Sequence, residues 1–556
     1  MKYTFSAKNP ANHFISINLE CTVSNLDELT IQLPAWRPGR YELANFAKNV
    51  KDFVVYDQNG NRLCAPKLSK DSWEVECNNA TSISIQYDYY ASELNAGATW
   101  MDENQLYVNP VNCCVYVLGK ENEPCEIQLA IPNDYKVASS MEPLENNLFK
   151  VSDYQELADT PFIASNSLQH KSYESKGITF HVWFQGECKP NWNKLITDFQ
   201  KFTDYQIEIF NGFPVKEYHF LNQITSYRSY HGVEHQKSTV IQLGPSHKLF
   251  GTSYVDFLGV SSHELYHTWN IKAIRPKEML PYDFTKENYS HMGYVAEGVT
   301  SYMGDRVLYE CGVFEESQYF KEFETYLTRH FHNDGRKHMS VANSSWDTWL
   351  DGYVQGIPGR KTSIYTEGAL IAYICDMRIR KATNNEASLH NVLQELYQLT
   401  STKKGYTETN YRNLLEKISG ELFEDIFSVA LPASLSPIMT VATVLLLTGL
   451  IGQFGTSAIA GYGIGSRVEF LLIPIVFGIG TAMTAMVGTN IGAKNIERAE
   501  RIGMVGATTA GLLSAVIGLA LALTPNLWIS IFTSDPETLL VTKQYIQILG
   551  VCYLFQ

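Results

Sequence analysis

His263-Glu264-Leu265-Tyr266-His267 is the stretch on which the rest of the chain is read. Two histidines four residues apart in a helix lie on one face, one turn apart. From that face both imidazoles can ligate one Zn²⁺. The glutamate between them can then act as base toward the water that such an ion activates. The bland alternative is a surface helix with incidental histidines, and the surrounding sequence decides between the two.

A hydrolytic zinc takes three protein ligands and keeps one position open. The third ligand should come from another element. Downstream, residues 294–302 read Tyr-Val-Ala-Glu-Gly-Val-Thr-Ser-Tyr. Val295, Val299 and Tyr302 fall at i, i+4 and i+7, which predicts a helix burying one stripe. Glu297 sits off that stripe in a largely apolar segment. A buried acid needs a partner, and a metal is one of the few adequate ones. His263, His267 and Glu297 are therefore the expected ligands of one zinc per chain.

Moving outward, 556 residues are enough for more than one domain. The chain is acidic, with 44 Lys+Arg against 58 Asp+Glu, so nucleic acid is not an expected partner. The surplus is not spread evenly. Beyond Ser428, Arg467, Lys494, Arg498, Arg501 and Lys543 balance Glu469, Glu497, Glu500, Asp535 and Glu537. Residues 1–427 thus carry the whole net charge of −14. The ten cysteines form no C-x-x-C pair, and Met1-Lys2-Tyr3-Thr4 leads into polar sequence with no secretory-signal pattern. Reduced thiols and a cytoplasmic head are expected.

The opening stretch alternates. Ile15, Ile17, Leu19, Cys21 and Val23 are separated by mostly polar residues, as in a half-buried strand. The pattern recurs at 29–33, 73–77, 83–89 and 127–131, and Asn59-Gly60 is a hairpin signal. Residues 1–165 read as an antiparallel β domain. After a strand at Phe180–Phe184 the period changes. Trp192, Leu195, Ile196, Phe199 and Phe202 follow helical spacing up to Gly212 and Pro214, and Leu389, Val392, Leu393 and Leu396 do the same. Residues 166–427 read as a mainly α-helical catalytic domain. The helix of the metal motif should begin near Asp256 and end by Pro276.

At Ser428 the character changes again. Residues 426–466, 470–493 and 502–534 carry no charged side chain. A spanning helix needs about 20 apolar residues, so each run can supply one. Spans are expected near Met439–Gln453, Leu471–Ile491 and Ile502–Leu523, with a fourth entering at Tyr545. Residues 428–556 are thus expected to form an all-α transmembrane segment that attaches the chain to a membrane. Lys494, Arg498 and Arg501 lie between the second and third spans. The positive-inside rule puts that loop in the cytoplasm, and the inner (plasma) membrane is the expected site if the tail inserts.

Residues 1–427 resemble the M61 peptidases, the glycyl aminopeptidases. The resemblance rests on Leu33-Pro34-Ala35-Trp36-Arg37-Pro38-Gly39-Arg40-Tyr41, Gly232-Val233-Glu234-His235, the His263–His267 motif, Glu297-Gly298-Val299-Thr300 and Tyr365-Thr366-Glu367-Gly368. It implies a gluzincin (thermolysin-like) catalytic domain that shares its layout with the M1 aminopeptidases. The implied substrate is a peptide with a free amino terminus and a small first residue, Gly or Ala. It also implies roles: Glu264 as general base, Tyr365 as oxyanion donor and Glu234 as ligand of the substrate's amine. Gly232 would let the substrate backbone approach closely.

Family members usually continue into a PDZ domain, which is missing here. Residues 428–556 instead resemble the opening of the second half of a MATE multidrug transporter. That resemblance rests on Leu431-Pro432-Ala433-Ser434, Gly461-Tyr462-Gly463-Ile464-Gly465, residues 487–493 and Phe532-Thr533-Ser534-Asp535-Pro536. A complete transporter of that kind has twelve spans, so the tail is expected to be a fragment without transport of its own. The expected origin of the join is a fused or misassembled reading frame.

Overall fold

The computed structural model describes residues 1–23, 27–354, 356–400, 404–419, 444–493 and 495–553. The join at Phe427–Ser428, the run Leu431–Ser434, the start of the first expected span at Met439 and Lys494 lie outside the described residues. The chain forms two compact units, Met1–Leu422 and Phe423–Gln556.

Alternation in the opening sequence becomes a sheet. Phe14–Thr22 buries Ile15, Ile17, Leu19 and Cys21 and turns the intervening side chains outward. It pairs antiparallel with Lys2–Ser6 on one side and Ser82–Tyr90 on the other, inside an eight-stranded sheet. One pair departs from the expected antiparallel pattern: Lys2–Ser6 runs parallel to Cys125–Ala130. A parallel pair needs a long crossover, and the 118 residues between these strands supply one, which short-range periodicity does not reveal. The Asn59-Gly60 hairpin forms between Val50–Asp57 and Arg62–Leu63, and Asp57 accepts from the backbone N–H groups of Asn59 and Asn61.

The second part of the head is less purely helical than its sequence suggests. It opens with a five-stranded mixed sheet: Gln169–Ser175, Ile178–Gln185, Glu217–Ile224, Ser238–Gly244 and Ser229–Glu234 in spatial order. Glu217–Ile224 and Ser238–Gly244 lack alternation because they are buried on both faces, so no polar side is written into them. Helices Trp192–Phe210, Tyr254–Tyr266, Thr300–Glu310 and Ile364–Ala382 pack beyond this sheet.

The run Leu33–Tyr41 crosses from the β domain to the helices. Trp36 is fully buried and donates from Nε1 to the Asp283 carbonyl at 2.7 Å, while the Ala35 N–H donates to the Phe284 carbonyl. Tyr282 and Trp349 meet the Trp36 ring edge-on at 5.5 and 5.1 Å. Burying an aromatic of this size is worth roughly 4 kcal/mol before ordering costs. The loop Arg37–Tyr41 that follows is thereby held against the catalytic helices.

The secondary structure of the tail's described residues is all helical: 444–452, Thr456–Gly492, Ile496–Leu523, Pro525–Ile529 and Pro536–Cys552. Two of these, Thr456–Asn490 and Ile496–Leu523, are long and apolar enough to cross a membrane. Four spans were expected. The described part of the first is one short helix, and the last begins at Pro536, not near Tyr545, and carries Glu537 and Lys543. The helix expected over Leu471–Ile491 starts at Thr456, because Arg467 and Glu469 end an uncharged run without ending a helix.

Candidate metal centre

The metal-motif helix runs Tyr254–Tyr266 and stops well before Pro276. It stops there because the next turn is tied elsewhere. Asn270 donates from Nδ2 to the carbonyls of Val295 and Ala296 and to Thr300 Oγ1, so the chain turns toward the next helix. The backbone carbonyl of Asn270 accepts from His267 Nδ1 at 2.9 Å. That bond assigns the ring proton to Nδ1 and turns the Nε2 lone pair toward His263.

Residues 294–299 do not form the plain α-helix that their spacing predicts. They form a π-helical segment, Tyr294–Val299, which continues as the α-helix Thr300–Glu310. Widening the turn buries Glu297 together with its apolar neighbours, at 3% exposure. Its carboxylate reaches the two histidines. His263 Nε2 and His267 Nε2 lie 3.0 Å apart, and Glu297 Oε2 lies 3.4 Å from His267 Nε2 and 4.0 Å from His263 Nε2. Ligands at about 2.0–2.2 Å from a tetrahedral zinc lie about 3.3–3.6 Å from one another. The 3.4 Å separation falls in that range and the 3.0 and 4.0 Å separations lie a few tenths of an ångström on either side of it, so small side-chain shifts would let this donor set hold one ion.

The electrostatics have the same origin. Burial, and then His267, hold His263 well below the usual imidazole range. Burial alone would lower His267 too, but the Glu297 carboxylate raises it to about 9. Glu264 is 5% exposed, and its Oε2 has no hydrogen-bond partner among the described residues. Burial first, with Glu234 and Glu297 adding to it, pushes its carboxyl up to about 8 against the opposing charge of His267. Gly232 sits beside this acid. A Cβ there would stand 2.1 Å from Glu264 Oε1, so the missing side chain makes room for the acid.

Glu234 closes the edge strand Ser229–Glu234 and is buried. Its charge is among those acting on both His267 and Glu264. The strand end is pinned next door: His235 Nδ1 donates to Asp159 Oδ1 at 3.1 Å, and Lys272 Nζ lies 2.8 Å from the same oxygen. Burial would raise Asp159, but Lys272 and His235 hold it well below the usual carboxylate range. Tyr365 lies in the first turn of Ile364–Ala382, half-buried, its hydroxyl 3.4 Å from that of Tyr353. Burial, then the Glu297 charge, raises its hydroxyl. His263, His267 and Glu297 bring their donor atoms together, and the charges of Glu264 and Glu234 act on His267 while that of Glu297 acts on Tyr365.

Two neighbours had no role in the reading of the motifs. Asn270, three residues past His267, was within reach of a motif reading. Tyr41 was not, because its hydroxyl meets Glu297 Oε1 at 2.8 Å across 256 residues of chain.

His181, Glu217 and His219 also bring three donor atoms together. They do not suit an ion. Trp183 Nε1 donates to His219 Nδ1 at 3.2 Å, which leaves the ring proton on Nε2, the nitrogen facing Glu217. The His181 and His219 rings stack at 4.4 Å, 21° apart, so their lone pairs run side by side and do not converge.

Comparison with known proteins covers both units. Residues 2–166 match the Peptidase M61 N-terminal domain, residues 256–371 the M61 glycyl aminopeptidase domain, and residues 432–556 the MatE domain. An aminopeptidase N family protein from Idiomarina loihiensis has a similar solved structure, with TM-score 0.72 and 27% identity over 77% of this chain and 75% of that one. The tail resembles the probable multidrug resistance protein NorM of Thermotoga maritima, 30% identical over 132 residues. It also resembles NorM of Neisseria meningitidis serogroup A, 24% identical over 130 residues. These stretches are 24% and 23% of this chain, and in both cases the chain spans 28% of the relative's length. By these matches the head carries an M61 N-terminal domain and an M61 glycyl aminopeptidase domain, and the tail carries a MatE domain similar to part of a MATE-type transporter.

Proposed function

We propose that residues 1–427 are a zinc-dependent aminopeptidase that releases small amino-terminal residues, Gly or Ala, from peptides. Residues 1–165 are its β domain and residues 166–427 its catalytic domain. The observation that supports this most is the convergence of His263, His267 and Glu297, in the same helix pair as a buried glutamate with one oxygen unpaired among the described residues. A binding module has no need of that unpaired acid, whereas a hydrolase uses it as a base.

When bound, zinc would supply a Lewis acid for the scissile carbonyl. The chain's own groups do the rest. Glu264 removes a proton from the attacking water and passes it to the departing amine. Tyr365 donates its O–H to the oxygen on which negative charge develops. Glu234 accepts from the substrate's free ammonium group and so fixes which bond is cut.

Zinc content of the full chain, measured alongside hydrolysis of Gly- and Ala-arylamides, tests the reading. One zinc per chain with turnover supports it, and zinc-free or inert protein overturns it. Within this scheme Glu234→Ala raises KM for free-amine substrates, with a loss of about 1–3 kcal/mol for a hydrogen bond to a charged group. The parent enzyme should leave amino-blocked peptides uncut, and equal cleavage of blocked and free peptides would contradict the exopeptidase assignment.

For residues 428–556 we propose a transporter fragment without independent activity, seated in the inner (plasma) membrane with the head in the cytoplasm. Expressed as residues 1–427, residues 428–556 and the whole chain, peptidase activity should follow the head, and none of the three should confer drug efflux. Activity that requires the tail would show that the two form one working unit.

A further inference from the structure

The metal centre is not built by the catalytic domain alone. Tyr41, at the end of the Arg37–Tyr41 loop of the β domain, is 5% exposed and donates its hydroxyl to Glu297 Oε1 at 2.8 Å. The other carboxylate oxygen, Oε2, is the one that faces His267 and His263. The two oxygens are therefore divided between a donor from one domain and the histidine pair of the other. A carboxylate free to rotate can present either oxygen or both. One whose outer oxygen is occupied presents a single oxygen in a fixed direction.

The same loop meets the second acid of the site. Gly39, with φ +77°, lies against Glu234, and a Cβ there would stand 2.5 Å from Glu234 Oε2. The ring of Tyr41 is held independently of its hydroxyl, edge-on to Trp349 at 6.0 Å. Hydroxyl and ring can thus be tested separately.

We propose that Tyr41 is a positioning residue of the zinc site. Through it the β domain fixes Glu297 as a one-oxygen ligand and tunes the affinity for the ion. This rests on the reading of Glu297 as a ligand. The test uses the full chain and reads zinc affinity by competition with a chelator, not turnover alone. Tyr41→Phe keeps the ring and removes the donor. It should weaken zinc binding about 10–100-fold, the usual effect of losing an outer partner of a ligand. The thermal stability of the zinc-free protein should change little, and the absorption bands of the cobalt-substituted protein should shift.

Trp349→Phe alters the ring contact and leaves the hydroxyl. It should cost stability and leave zinc affinity unchanged. Parental zinc affinity in Tyr41→Phe, with zinc lost in Glu297→Ala, overturns the proposal and leaves the ligand assignment standing. Zinc retained in Glu297→Ala overturns both. Affinity that falls in both Tyr41→Phe and Trp349→Phe in proportion to stability makes Tyr41 a packing residue only, which also overturns the proposal.

Discussion

Replacing Glu264 by glutamine leaves one zinc per chain in place and lowers kcat by about 10²–10⁴, the range that general acid–base groups contribute. The substitution is nearly isosteric, and space for the side chain beside Gly232 is unchanged. What it removes is the ability to accept a proton. Glu264 Oε2 has no partner among the described residues, so no structural hydrogen bond is lost there. Substrate binding should change far less than turnover. Zinc content by atomic absorption, beside kcat and KM on a Gly-arylamide, reads both effects. Metal loss equal to that of His263→Ala would mean that Glu264 is a ligand and that its role has been misassigned.

A His267→Ala chain binds zinc more than about 100-fold more weakly and has no measurable turnover, because a ligand matters more than an outer partner. It also loses stability without metal. The ring is 2% exposed, and its Nδ1–H is the donor to the Asn270 carbonyl, so its removal leaves both a void and an unpaired acceptor. His263 offers the contrast. Its side chain is 20% exposed, and His263→Ala should lose zinc to a similar degree with a smaller drop in zinc-free stability. Full zinc binding by His267→Ala would place the centre elsewhere.

These two residues were legible in the sequence because four-residue spacing in a helix fixes geometry without tertiary information. Glu297 was legible for a different reason, as the one acid in a largely apolar segment downstream of the motif. Its π-helical turn was not, since composition does not distinguish a π turn from an α turn over Tyr294–Val299. The β domain announced itself wherever one strand face met solvent, as in Phe14–Thr22. Glu217–Ile224 and Ser238–Gly244 stayed hidden because they are buried on both faces. Tyr41 was unreadable in role, since its partner lies in another domain.

The tail helix Thr456–Gly492 has one further consequence. At 1.5 Å per residue its 37 residues measure about 55 Å, against a hydrocarbon core of about 30 Å. The uncharged stretch that begins at Phe470 measures about 35 Å and matches that core. In a bilayer, then, the first third of this helix, with Arg467, stands in the headgroup layer and the water beyond it. Pro474 falls just inside the boundary and leaves the Phe470 carbonyl without its helical donor, at a depth where interfacial water can still reach it. A proline inside a helix is where a kink forms, so if this helix spans a bilayer, the mismatch in length can be relieved at Pro474, with the emerged and immersed segments tilting differently.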